Sequence, residues 1–220
     1  MHMEKRPPRP RGRIERVLIV AKTHMWNGLC VSGLTQETNR SIRLLTAHRD
    51  HQPSNAPYEV GQVWQIEYRL ITSTTPPHVE DVRVMHARYL GQQPNMRKTL
   101  LSRVQPWQGD VRNLYDGCLM LGPRSAYITR SGGIPHCSTG YWLPVRPLTL
   151  CHIDERAYYE IAYDIDGGST GTLRIRFVGC AETVPELPPS TLVRVSLARW
   201  WKQSDADEER CYLQLSGWYQ

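Results

Sequence analysis

Val193-Arg194-Val195-Ser196-Leu197 and, after an acidic turn over residues 204–209, Cys211-Tyr212-Leu213-Gln214-Leu215-Ser216 decide the fold. Each run alternates apolar and polar residues. A strand sends successive side chains to opposite faces, so this period reads as two half-buried β-strands. Val193, Val195 and Leu197 point inward with Cys211, Leu213 and Leu215. Arg194, Ser196, Tyr212, Gln214 and Ser216 then face outward.

The same period extends upstream. Tyr159, Ile161, Tyr163 and Ile165 share one face, Asp166-Gly167-Gly168-Ser169 signals a hairpin, and Leu173, Ile175 and Phe177 return opposite Arg174 and Arg176. Nearer the N-terminus, strands are expected at residues 16–21, 29–34, 41–45, 60–69 and 77–84, with a further one near residues 125–128. Helical spacing appears only over residues 95–104, where Met96, Leu100 and Val104 recur every four residues behind a capping Asn95, and in a short segment over 110–120. Many short strands between Gly, Pro and Asn clusters indicate an all-β barrel or sandwich with minor helices.

Composition narrows the function classes. The chain has 220 residues, 40% of them hydrophobic and 22% charged, which suits a globular protein with a sizeable core. No apolar run approaches the roughly 20 residues that cross a bilayer, and the basic N-terminus lacks the apolar segment of a signal peptide. A cytoplasmic protein without membrane attachment is the expectation. The six cysteines, Cys30, Cys118, Cys137, Cys151, Cys180 and Cys211, are scattered as reduced thiols would be, not clustered as in a disulfide scaffold. His136-Cys137 and Cys151-His152 match no common zinc spacing, Asp164 and Asp166 suit a turn, and no phosphate-binding glycine motif is present. The expectation is no metal, no cofactor and no catalytic residue.

The formal net charge is +6, but residues 1–16 carry six Arg or Lys against two Glu, so most of that charge belongs to an N-terminal leader. Residues 1–13 form this basic, Pro- and Arg-rich leader, expected to be extended. The body is nearly neutral. Anion binding must then rest on local clusters rather than on the field of the whole molecule. The chain uses 23 Arg and 4 Lys, and 7 Trp and 11 Tyr against 1 Phe. Guanidinium groups pair with phosphate in two-pronged contacts and stack on bases, and Trp and Tyr join an apolar face to a polar handle.

Two regions resemble a known family. Val17-Leu18-Ile19-Val20-Ala21-Lys22, Gly28-Leu29-Cys30-Val31-Ser32-Gly33 and Ser41-Ile42-Arg43-Leu44-Leu45 resemble the opening of the dual OB-containing domain family. Arg194 to Trp201 and Glu209 to Tyr219 resemble its closing strands, and Gln93-Pro94-Asn95 its Gln-Pro-Glu-Asn element. Ser41 and Leu44 stand where the family tends to have Trp and Pro. The resemblance implies two OB-like barrels in tandem, divided here as residues 14–150 with a helical insertion and 151–220. It also implies a bacterial protein with nucleic-acid recognition in defence or mobile-element settings.

An OB barrel binds single strands across one sheet face and its flanking loops. In the first barrel the expected ligand residues are Lys22, His24, Trp26 and Arg43. In the second they are Arg174, Arg176, Arg194 and Tyr212 on the sheet face, and Arg199, Trp200, Trp201 and Trp218 at the strand ends. Adjacent Trp200 and Trp201 must point to opposite sides, so one is exposed or joins the barrels. The expected partner is single-stranded DNA or RNA. A protein-interaction adaptor and a small-ligand or nucleotide sensor with a pocket between the barrels are the competing readings.

Overall fold

A computed structural model describes residues 12–25, 27–165 and 168–220. The leader therefore falls almost wholly outside the described residues, as do Trp26 and the first half of the 166–169 turn. Five strands form a closed barrel: β1 (Arg13–Met25), β2 (Gly28–Thr35), β3 (Ser41–Leu45), β4 (Gln62–Leu70) and β5 (Asp81–Gln92). They lie in the order β1-β2-β3-β5-β4, and β3 and β5 are parallel. Turn chemistry fixes the first hairpin. Gly28 has φ +128°, and a Cβ there would fall 2.3 Å from the carbonyl oxygen of Gln52. Only glycine meets both demands.

The helix α1 (Met96–Leu101) follows, with the Asn95 side chain accepting a 2.9 Å bond from the Lys98 amide. The remaining elements are β6 (Trp107–Gly109), a 3-10 turn over Val111–Gly117, β7 (Met120–Leu121), β8 (Ala126–Thr129), β9 (Thr139–Pro144), β10 (Leu148–Ile153), β11 (Arg156–Ile165), β12 (Ser169–Phe177), β13 (Glu186–Leu187), β14 (Leu192–Leu197) and β15 (Arg210–Tyr219).

Their pairing repeats the first barrel. β10 pairs β11, β11 pairs β12, β12 runs parallel to β15, β15 pairs β14, and β14 pairs β9. β9 and β10 are separated only by Val145, Arg146 and Pro147. Together they take the part of β1, whose first half pairs β4 and whose second half pairs β2. Pro144 and Pro147 flank the break, because proline cannot donate to a ladder. The strand order is thus that of the first barrel, with a broken first strand. A division at residue 150 would cut β10, while β6 and β9 already pair into the second sheet. We therefore place the division between the barrels within residues 93–106, where α1 lies.

Three apolar cores result. Val17, Ile19, Val31, Ile42, Leu44, Ile66 and Tyr68 fill the first barrel. Trp142, Tyr159, Ile161, Leu173, Ile175, Val193, Val195 and Leu215 fill the second. Between them Leu18, Val20, Leu34, Leu100, Tyr141, Leu192 and Tyr219 form a shared seam. This explains the unbroken apolar run at residues 17–21. Over these five residues β1 is buried on both faces, so neither side needs polar residues.

Candidate nucleic-acid interface and the seam between the barrels

The outward face of β1, β2 and β3 is mostly covered. It meets the outward face of β14 and β15, and the two barrels clasp along it. Thr23 forms a bridge with Gly179, and Tyr219 Oη donates to the Val20 carbonyl at 2.5 Å. Arg43 forms a two-pronged ion pair with Asp81, whose second oxygen lies 3.0 Å from Arg199 Nη2 of the second barrel. Glu80 accepts from Ser138 N at 2.6 Å and Ser138 Oγ at 2.8 Å. His78 Nε2 lies 3.2 and 3.0 Å from the carbonyl oxygens of Leu197 and Ala198. Burial is the largest effect on His78 and lowers its pKa, with Arg43 acting the same way against the opposing carbonyl bonds.

Several expected site residues are therefore placed elsewhere than on an open face. Arg43 is held inside the seam. Lys22 is mostly covered and ion-paired to Glu59 at 2.7 Å. Arg194 is 3% exposed and donates to Ser216 Oγ at 3.0 Å, so it leaves the outward row with Arg174 and Arg176. Arg194 still points outward from β14, as Leu192 does, and the seam covers that face. Beside it Arg194 faces Gly217 and Val195 faces Leu215, a bulge that leaves Ser216 unpaired. Trp218 packs on Tyr159 and Phe177 with ring centroids 5.8 and 5.2 Å away. Trp200 donates from Nε1 to the Pro76 carbonyl at 2.8 Å and so ties the second barrel to the first. His24 is exposed at the rim.

The corresponding face of the second barrel is open. Register places Cys151, Tyr158, Arg176 and Gln214 in one row and Thr149, Glu160 and Arg174 in the next. Arg174 pairs with Glu160 at 2.6 Å, and Arg124 borders the same hollow. Arg176 is exposed and has no ion-pair partner among the described residues. The sheet continues into an aromatic group. Tyr127 and Tyr212 lie 5.6 Å apart, Trp201 sits 6.3 Å from Tyr212, and Arg210 lies 4.4 Å over the Tyr127 ring. Trp201 is 54% exposed. Arg130 covers Trp200 at 4.4 Å. Glu208 and Glu209 engage Ser131 and Arg130 at the far edge and bound the basic surface there.

Alternation missed Tyr158, although it is the outward partner of Tyr159, whose face had been assigned. Arg124, Tyr127, Arg130 and Arg210 reach the group from short segments that only the β8–β15 pairing brings together.

Burial, reinforced by Glu80, pushes the Cys137 thiol up to about 11. The His136–Asp116 contact is 3.6 Å and exposed. Among the described residues no three His, Cys, Asp or Glu side chains form a metal-binding group, and no helix is long and apolar enough to cross a membrane.

The model of the dual OB-containing domain matches residues 15–218. The chain belongs to this family. A comparison with curated proteins gives no match. Among solved structures, the p204 HINb domain is 10% identical with a TM-score of 0.33, over 93% of this chain and 97% of that one. The Ifi202 HINa domain, solved in complex with 20 bp double-stranded DNA, is 7% identical with a TM-score of 0.35, over 94% and 97%. A murine DNA-binding protein bound to double-stranded DNA is 10% identical with a TM-score of 0.30, over 92% of each chain. Scores this low establish neither fold nor function for the present chain.

Proposed function

We propose that this dual OB-containing domain protein is a non-catalytic nucleic-acid-binding module that takes a single strand across the outer face of its second barrel. One observation carries the proposal. Of the two equivalent barrel faces, the first is buried in the seam, while the second is open and carries Tyr158, Arg174, Arg176 and Arg124 beside Tyr127, Tyr212 and Trp201. Guanidinium groups follow phosphates and aromatic rings stack on bases, each stacked base contributing about 1–3 kcal/mol. A nearly neutral body limits non-specific attraction, so affinity is concentrated on this face.

The test is fluorescence anisotropy of labelled single-stranded DNA and RNA at low salt, with duplexes as competitors. Saturable binding that weakens with salt and favours single strands is expected. No binding to either strand type at tens of micromolar protein would exclude the proposal.

A further inference from the structure

The seam encloses a polar cavity of about 80 Å³ between the outward faces of β1–β3 and β14–β15, walled in part by Arg194, His78, Glu80, Thr139, Ser196 and Gln214. Its polar groups are incompletely satisfied. Arg194 Nη1 donates to Ser216 Oγ, but Nε, fully buried, has no acceptor. Among the described residues no carboxylate lies within ion-pair distance of Arg194. His78 is 3% exposed and directs Nε2 at two carbonyl oxygens, so its proton is on Nε2. That leaves Nδ1 a bare acceptor, and it has no partner. The buried Thr139 Oγ1 has none either.

These three residues come from three separate segments and line one cavity. Leaving a buried donor or acceptor unmade costs about 1–3 kcal/mol, and a buried unpaired guanidinium costs more. Charge is unbalanced in the same sense. Asp81 is shared by Arg43 and Arg199, and both oxygens of Glu80 are spent on Ser138. Three guanidinium groups thus face two carboxylates, and Arg194 is the one with no carboxylate within ion-pair distance.

We propose that this cavity is a binding site for a small oxoanion of the phosphate class that keeps one proton. Its oxygens accept from Arg194 Nε and Thr139 Oγ1, and its hydroxyl donates to His78 Nδ1. The cavity takes the phosphoryl group alone. Met25, 37% exposed, and Arg199, with 47% of its side chain exposed, form a rim through which an attached nucleoside would project. The source is therefore free phosphate or the monoester end of a nucleotide. This site adjoins the open sheet face at Gln214 but does not rest on the nucleic-acid reading.

The test is calorimetric titration of the full chain with inorganic phosphate and, separately, with a nucleoside 5′-monophosphate. Thermal unfolding is followed in phosphate against chloride of equal ionic strength. A saturable rise in the unfolding midpoint is expected. Stronger binding of inorganic phosphate assigns the free anion, and stronger binding of the nucleotide assigns the monoester. Arg194→Met, which keeps the stem and removes the charge, should weaken binding by at least about tenfold, a loss near 1.4 kcal/mol. Thr139→Val should weaken it several-fold and keeps the test open if Arg194→Met does not fold. Arg174→Ala/Arg176→Ala should leave the phosphate response in place. No saturable response in the parent chain, or an unchanged one in both seam variants, would overturn the proposal and assign the cavity to ordered water.

Discussion

His78 shows how much one buried side chain can depend on its surroundings. Burial first, and Arg43 second, hold its pKa below the usual 6.5, and His51 is lowered for the same leading reasons. As pH falls, the unfolded chain takes up these protons before the folded one. The stabilising contribution is therefore complete above 6.5 and is lost progressively below it. Unfolding free energy from urea titrations should decline from about pH 7 to about pH 5, and His78→Gln, whose amide nitrogen can replace Nε2, should decline less steeply. Equal slopes for the two chains would contradict the assignment. At this scale the sequence is legible where alternation is strict. Arg174, Arg176 and Tyr212 stand outward as their period requires. Arg194 stands outward too, but the seam covers its face of β14, and a two-residue period shows which side a residue takes, not what lies against it.

At the scale of elements, patterning found most of the strands because each barrel strand has at least one covered face. The exceptions are instructive. β10 follows Pro147 and pairs along one edge only with the two-residue β13, so its apolar signal is weak, and the barrel boundary was expected there. β9 lies in a Gly-, Pro- and Ser-rich stretch that reads as a loop, yet Gly140 is needed for packing. A Cβ on Gly140 would fall 2.1 Å from the Trp107 ring. Gly140→Ala should displace Trp107, destabilise the chain by about 1–3 kcal/mol and change its tryptophan fluorescence. A variant with unchanged stability and spectrum would show that β6 does not seat on β9 as described.

For the whole molecule, the decisive fact is the seam. Its apolar core draws Leu18 and Val20 from the first barrel, Leu192 and Tyr219 from the second, and Leu100 from the intervening helix. Two barrels so joined should unfold as one unit. Near-UV circular dichroism and native-state hydrogen exchange should report coincident transitions. Two separated transitions would mean that the seam does not couple the barrels. No local pattern could reveal which face each barrel gives up, because that choice depends on contacts more than a hundred residues apart, such as Arg199 with Asp81 and His78 with Ala198. The expected ligand face of the first barrel, with Lys22 and Arg43, was for this reason read without its cover.

The same seam leaves the second barrel to carry binding, and the salt dependence of affinity tests that most directly. Each phosphate contact on a single strand contributes about 0.7 to the slope of log K against log salt. Arg174→Ala/Arg176→Ala should lower both the affinity for a single-stranded oligonucleotide and the slope, the latter by roughly 1.4. Arg88→Ala, on an exposed strand of the first barrel, should change neither. If the double variant binds like the parent chain, or if Arg88→Ala loses as much, the open face of the second barrel is not the nucleic-acid interface.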